Sequence, residues 1–329
     1  MSLMSIGNDL YTGARSIDFI KRRRLWYLIS AIAILLSIVV PVLRGGYHFG
    51  IEFTGGSEFT IAGAGTNQDR AIAAVQSVTG TEVQPRVSVV GADSIRVETA
   101  QLDPKGGTAV TDRVTTALAR AYDVPEGRVN PSFIGPTWGA DITGSAVRAL
   151  VIFLVLVALV MAVYFRTWKM AAAGLVALIH DLIITAGVYG IIGFEVTPAA
   201  VIGFLTILGY SLYDTVVVFD KIRENTASMG QSSTRTFAET VNLAVNQTLV
   251  RSINTSIVGL LPIASVLFIG TTLLGAGTLR DISLALFVGI IVGTYSTVFV
   301  AAPLYTDLRS SEPAIKLQAR RALSSRAGA

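Results

Sequence analysis

The sequence predicts a polytopic α-helical membrane protein with six transmembrane helices and one α+β domain outside the membrane. Three observations carry this reading. Of 329 residues, 52% are hydrophobic and only 15% charged, against about 25% charged in ordinary soluble domains. Six segments reach the roughly 20 mainly apolar residues needed to cross about 30 Å of hydrocarbon. Between the first two of them lies a stretch with the alternating and helical periodicities of a folded soluble domain.

In chain order, residues 1–24 form a cytoplasmic N-terminal segment, with Lys21-Arg22-Arg23-Arg24 leading into the first span, 25–43. That apolar run is too long for a signal-peptide core, and Pro41-Val-Leu-Arg44-Gly-Gly is no small-residue cleavage site, so the span is expected to remain as an anchor. Residues 44–148 form the extracytoplasmic domain. Tyr47–Ala62 alternates as a strand with a kink or bulge at Gly55-Gly56. Asn67–Val78 has helical spacing, with Thr66 or Asn67 as its cap. Arg86–Val90 and Ser94–Ala100 flank Gly91-Ala92-Asp93 as a hairpin. Ala109–Tyr122 is helical again and Arg128–Ile134 is a last strand. This βαββαβ order is the ferredoxin-like pattern. Spans two to four follow at 149–165, 170–192 and 199–219, then a cytoplasmic loop, 220–243. Spans five and six occupy 244–274 and 282–305, before a cytoplasmic tail, 306–329.

Orientation follows from the basic residues, because Lys and Arg in short loops stay in the cytoplasm. Arg166 and Lys169 lie between spans two and three. Lys221, Arg223 and Arg235 fall in the loop between four and five, Arg251 stands in the cytoplasmic half of span five, and the tail carries Arg309, Lys316, Arg320, Arg321 and Arg326. The short loops of the opposite side, 193–198 and 275–281, hold only Arg280. Both termini are therefore expected in the cytoplasm. The net charge of +4 is a topology signal and not a nucleic-acid patch. Trp26, Trp168 and Tyr305 at span ends suit an interfacial aromatic belt.

Several chemistries drop out. With no cysteine and two histidines there is no disulfide, thiolate nucleophile or zinc spacing. No GxxxxGK[ST] stands in the chain for ATP, and no Ser/His/Asp arrangement suggests itself. No enzyme activity, cofactor or metal is expected.

The polar residues within the spans point elsewhere. A charge at bilayer depth costs at least ~2.5–3.5 kcal/mol on insertion scales and marks a functional site by default. Asp181, beside His180, stands near the middle of span three. Asp214 in span four lies roughly 8 Å from the cytoplasmic edge at 1.5 Å per residue. Thr206, Tyr210 and Asp214 recur every four residues as one polar stripe, widened by Ser211 and Thr215. In span five, Gln247, Arg251, Asn254 and Thr255 share a helical face, with the helix starting near Ala244. A buried Arg251 at the depth of Asp214 would neutralise that carboxylate or a partner's. A carboxylate so placed binds and releases a proton, since burial favours its neutral form and a nearby cation its charged form. Blander readings stand beside these: helix packing for Asp214, snorkelling for Arg251, a structural pair for His180 and Asp181, and a packing contact for the GxxxG of Gly289 and Gly293.

Four stretches resemble the SecF family of bacterial protein-export proteins. Gly50-Ile-Glu52-Phe53-Thr54-Gly55-Gly56 matches that family's signature, with Glu52 where Asp is usual. Gly209-Tyr-Ser-Leu-Tyr-Asp-Thr-Val-Val-Val-Phe-Asp-Lys-Ile-Arg-Glu-Asn225 matches its longest motif, with Tyr213 in place of Asn. Leu178-Ile-His-Asp181 and Asn246-Gln-Thr-Leu-Val-Arg251-Ser-Ile-Asn-Thr-Ser256 also match. The resemblance spans the whole chain in order. It implies an inner-membrane subunit that pairs with SecD as a small relative of RND-type exporters. That pair joins the SecYEG channel and uses protons to draw preprotein outward. It further implies that Arg251 takes part in the proton-linked step and that the Gly50–Gly56 motif joins a moving outer domain to span one. Two other readings remain: half of an RND-type small-molecule or lipid exporter, which the small outer domain disfavours, and a non-transporting scaffold of the translocon.

Overall fold

An apolar run that crosses hydrocarbon must satisfy every backbone N–H and C=O within itself, and a helix does so. In the computed structural model, which describes residues 3–91, 93–103, 108–227, 229, 235–270 and 277–327, six helices are long and apolar enough to span a membrane. The Ala92 tip of the expected hairpin and the 271–274 end of the expected fifth span lie outside the described residues.

A short helix α1 (Leu3–Thr12) precedes the first span, α2 (Arg23–Leu43). An α+β region follows with β1 (His48–Phe49), α3 (Ile51–Thr54), β2 (Gly56–Ala62), α4 (Gln68–Thr79), β3 (Arg86–Val90), β4 (Ser94–Thr99), α5 (Ala109–Tyr122) and β5 (Val129–Ile134). Then come α6 (Pro136–Phe165), α7 (Trp168–Ile192), β6 (Glu195–Val196), α8 (Pro198–Ala227) and α9 (Phe237–Ser265). The last elements are α10 (Gly277–Ser296), α11 (Ala302–Ser310) and α12 (Pro313–Ala327). A π turn, Thr297–Ala301, joins α10 to α11, so the sixth apolar segment is one rod from Thr278 to Ser310.

The helices overrun the sequence-based spans because their ends are built by polar residues beyond the apolar runs. α9 starts at Phe237, not near Ala244, because Thr236 and Glu239 form a reciprocal capping box there. The bundle centre is α7, α8 and α10, where small residues let backbones approach. A Cβ on Gly289 would overlap Ile207 of α8, and one on Gly203 would lie 2.6 Å from Ala285 Cβ, so the Gly289 end of the GxxxG is a packing contact. Tyr305, expected at the interface, is instead 1% exposed. Its ring packs on Phe219 and Phe237, and its hydroxyl accepts from Arg309 at 3.0 Å.

In the α+β region β2 lies between β4 and β5, and β3 pairs with β4, all antiparallel. Phe59, Ile61, Ile95 and Val97 pack with Val75 of α4 and with Val114 and Leu118 of α5, all 0% exposed. Asn67 is the cap of α4, accepting from the Asp69 N–H at 3.1 Å. The expected strand Tyr47–Ala62 is corrected. Its first part pairs in parallel with β6 at the membrane helices, Ile51–Thr54 coils into a helical turn, and only Gly56–Ala62 joins the sheet. Gly55 (φ 74°) makes the reversal between turn and strand, a backbone state that glycine reaches without a Cβ penalty.

The segment before α2 is strapped to α9. Asn242 Oδ1 accepts from the N–H of Phe19 at 2.9 Å and of Ile20 at 3.2 Å, and Asn246 Oδ1 from that of Ile17 at 2.9 Å. Both amide NH2 groups donate to Ile17 O at 3.0 Å. Leaving such N–H groups buried and unpaired costs about 1–3 kcal/mol. Asn242→Ala is therefore expected to speed amide exchange at Phe19 and Ile20 by about tenfold or more, read by hydrogen–deuterium exchange. Unchanged rates would show that the strap is held by packing alone.

Candidate functional site

Two carboxylates are buried inside the bundle, each built by side chains from several spans. Asp181 is 0% exposed. Its Oδ1 faces His180 Nδ1 at 3.1 Å and its Oδ2 accepts from Ser211 of α8 at 2.5 Å. The His180 ring stacks on Tyr295 of α10, centroids 6.0 Å apart, and the Tyr295 hydroxyl lies 3.2 Å from Ser30 of α2. Gly293 makes room for this contact, since a Cβ there would sit 2.9 Å from Ser211 Oγ and 3.5 Å from Asp181 Oδ2. His180 Nε2 is buried with no hydrogen-bond partner among the described residues. The chain of groups thus ties together α2, α7, α8 and α10.

Asp214, three residues beyond Ser211, is 6% exposed. Ser252 of α9 donates to its Oδ1 at 2.7 Å, while its Oδ2 is buried with no partner among the described residues. One turn up, Tyr210 donates to Thr255 O at 2.9 Å across the same helix pair. Ser256 and Thr294 share a hydrogen bond of 2.5 Å, so α10 joins the contact.

The expected stripes are divided by this geometry. Ser211 and Thr215 turn away from the stripe, Ser211 to Asp181 and Thr215 to Thr297 at 2.9 Å. Thr206 is exposed and donates only to Ile202 O of its own helix. Gln247 sits with Asn225 at 2.8 Å and with Tyr11 O at 3.1 Å, toward α1. Arg251 is not buried and forms no ion pair with Asp214, although its charge lies near enough to act on that carboxylate. Successive helical residues turn by about 100°, so with Ser252 facing Asp214 the Arg251 and Asn254 side chains fall on the exposed flank. Tyr213, Ile257 and Val258 are 53%, 51% and 68% exposed on that side. Around the bundle, then, α8 and α9 present an apolar outer face interrupted by one unpaired cation among the described residues.

The Gly50–Gly56 signature is a packed elbow between the two regions. Gly50 N donates to Val196 O at 3.0 Å. Phe53 packs on Phe49, centroids 6.0 Å apart, and on the cluster of Tyr189 and Phe204 at the helix ends. Gly139 of α6 touches this turn so closely that a Cβ would overlap Phe53 O and lie 2.8 Å from its carbonyl carbon. Glu52 meets Glu195 beside Gly50. Sequence reasoning missed Ser252, the Asn242–Asn246 strap and the polar sheet face of Glu58, Arg96 and Glu98. Strand alternation carried a signal for the last of these, because the three sit opposite Phe59, Ile61, Ile95 and Val97.

Comparison with known proteins places this arrangement. The family described as "Protein export membrane protein SecD/SecF, C-terminal" matches residues 113–311. The chain is also 45% identical to the protein translocase subunit SecF of Streptomyces coelicolor, over 99% of this chain and 85% of that protein. The chain belongs to the SecD/SecF family. A second family member, SecF of Mycobacterium tuberculosis, is 42% identical over 96% of this chain and 72% of its own length. Among solved structures, the fold is similar to SecDF of Thermus thermophilus, a translocon-associated membrane protein, with a TM-score of 0.75 and 29% identity over 90% of this chain. It spans only 39% of that SecDF chain. SecDF in its super-membrane-facing form gives a TM-score of 0.61 over 96% of this chain. Six apolar helices and SecF relatives make this chain a multi-pass inner-membrane translocase subunit of the family.

Proposed function

We propose that this chain is the SecF half of a proton-driven export unit, completed by a SecD-type partner on the α8–α9 face and working beside the SecYEG channel on preprotein in transit. The single observation that supports this best is Arg251, an unpaired cation among the described residues on an apolar, exposed helical flank. A charge in lipid is costly and marks a functional pathway, and carboxylates on a partner's facing helices satisfy it. Asp214, one helix away and bonded only through Ser252, is the proton-responsive group on this side of the interface. Asp181 with His180 is the second such group, farther inside.

In this reading the βαββαβ domain is a ferredoxin-like unit on the extracytoplasmic side, both termini are cytoplasmic, and the Gly50–Gly56 elbow passes movement between bundle and domain. The length relation to SecDF supports the pairing, since about two-fifths of that chain corresponds to this one. Coexpression with a SecD-type partner is expected to give one co-eluting complex in detergent, and Arg251→Glu, which reverses the charge at the interface, is expected to reduce its yield. A chain that purifies alone and stimulates export without a partner overturns the proposal.

A further inference from the structure

The outer domain meets the helix ends through the polar face of its sheet, and that face is crowded with carboxylates. Glu98 stands directly across from Glu58 on β2 and from Arg86 on β3. Like charges directly opposite in a sheet destabilise it. Arg86 is turned away toward His48, 2.6 Å from its Nδ1, and Arg96 pairs with Glu58 at 3.6 Å. Facing the sheet, Glu195 of β6 brings its carboxylate within hydrogen-bond reach of Glu98, which is 8% exposed. Glu195 Oε1 is buried and has no donor among the described residues. From α3, Glu52 adds another carboxylate beside Glu195. From α10, Asp281 and Arg280 complete the junction, with Thr197 donating to Asp281 at 2.7 Å.

Two carboxylates at hydrogen-bond distance attract only when one proton lies between them; both ionised, they repel. Glu98 and Glu195 belong to different parts of the molecule, so the sign of their contact strengthens or weakens the junction that the Gly50–Val196 and Arg86–His48 contacts also hold. We propose that a proton on Glu98, donated to the Glu195 carboxylate, helps to fasten the outer domain to the ends of the membrane helices, and that losing it loosens the domain. A cleft of about 330 Å³ lined by His48, Arg86, Arg96, Glu195 and Arg280 brings solvent to the Glu195 side of the contact.

The direction of the pH effect follows. Glu98 is pushed up to about 8, by burial first and then by Glu195. Glu52 is held above the usual carboxylate range by burial first, with Glu195 and Glu58 adding to it. A raised carboxyl binds its proton more tightly docked than free. Docking is therefore complete below the ordinary carboxylate range and is lost as pH rises toward about 8. The latch is a property of the fold and holds whether or not protons drive export, so its test needs no export assay.

The chain has no cysteine, so nitroxide labels go only where they are placed. Thr81→Cys in the outer domain and Ile192→Cys at the end of α7 are both at exposed positions. Electron spin distances on the full chain in detergent are expected to show one narrow population near about pH 6 and a second, broader one by about pH 9.5. Glu98→Gln and Glu195→Gln each keep a donor in the pair and are expected to hold the narrow population at both pH values. Wild-type distances that do not change across this range overturn the proposal. So does either glutamine variant that titrates as the wild type does.

Discussion

Arg251→Ala is expected to remove most of the stimulation of export by a proton gradient, a loss of about fivefold or more for a coupling of about 1–3 kcal/mol, while the complex with the partner still forms. Arg251 makes no hydrogen bond or ion pair among the described residues, so its loss is expected to leave the bundle folded. Arg251→Lys keeps the charge but loses the planar two-toothed fork, and an intermediate value is expected where carboxylate geometry matters. Asp214→Asn keeps an oxygen to accept from Ser252 and removes titration, so it assembles and exports poorly. The measurement is preprotein export into inverted vesicles with and without an imposed gradient. Normal gradient-driven export by Asp214→Asn would demote Asp214 to packing and leave Arg251 to act on the partner's carboxylates alone.

The largest structural effect is expected at Gly187. A Cβ there would overlap Ser37 Cβ and come within 2.6 Å of Ser37 Cα, and three residues on, a Cβ on Gly190 would lie 2.5 Å from Pro41 Cγ. Ser37 Cβ and Cα are fixed by the backbone of α2, so no rotamer change relieves the overlap. Overpacking of this kind costs about 1–3 kcal/mol for one extra methyl and more for a larger group. Gly187→Ala should lower the thermal midpoint in detergent, and Gly187→Leu should detach α2 from α7. Gly144 of α6 has nothing within 4 Å of where a Cβ would stand, so Gly144→Ala serves as control. It is expected to be neutral or to stabilise by up to about 1 kcal/mol through helix propensity. Equal midpoints for Gly187→Ala and the control would mean that α2 yields freely and that the close approach has no structural weight.

Much of the fold was legible because its strongest signals are local. Long apolar runs, basic clusters and period-two strands each read from a window of a few turns. What escaped depended on rotation about a helix axis and on partners far along the chain. Arg251 and Ser252 are neighbours in sequence, and spacing alone does not say which of them faces Asp214. The structure gives that place to Ser252, which removes the direct Asp214–Arg251 pair within this chain. Tyr305 reads as an interfacial ring by its place at the span end, yet α11 carries the helix past it and packing from Phe219 and Phe237 encloses it. Tyr47–Ala62 has the alternation of one strand, but Gly50 and Gly55 divide it so that its halves serve two sheets. The acidic junction was visible only as scattered glutamates until β1 and β6 brought Glu52, Glu98 and Glu195 together.

The asparagine strap has a consequence for how the molecule is made. Phe19 leaves the ribosome 223 residues ahead of Asn242, the side chain that receives its N–H. At about 5–20 residues per second, the segment waits on the order of ten to forty seconds before its dock exists. Throughout that interval Ile17, Phe19 and Ile20 have no permanent cover, and their amides bond only to water or to a temporary host. Closing so long a loop is slow compared with forming any single helix. The strap therefore cannot fasten before the chain has been made as far as the start of the fifth span, and it ties the first segment of the chain to a late one.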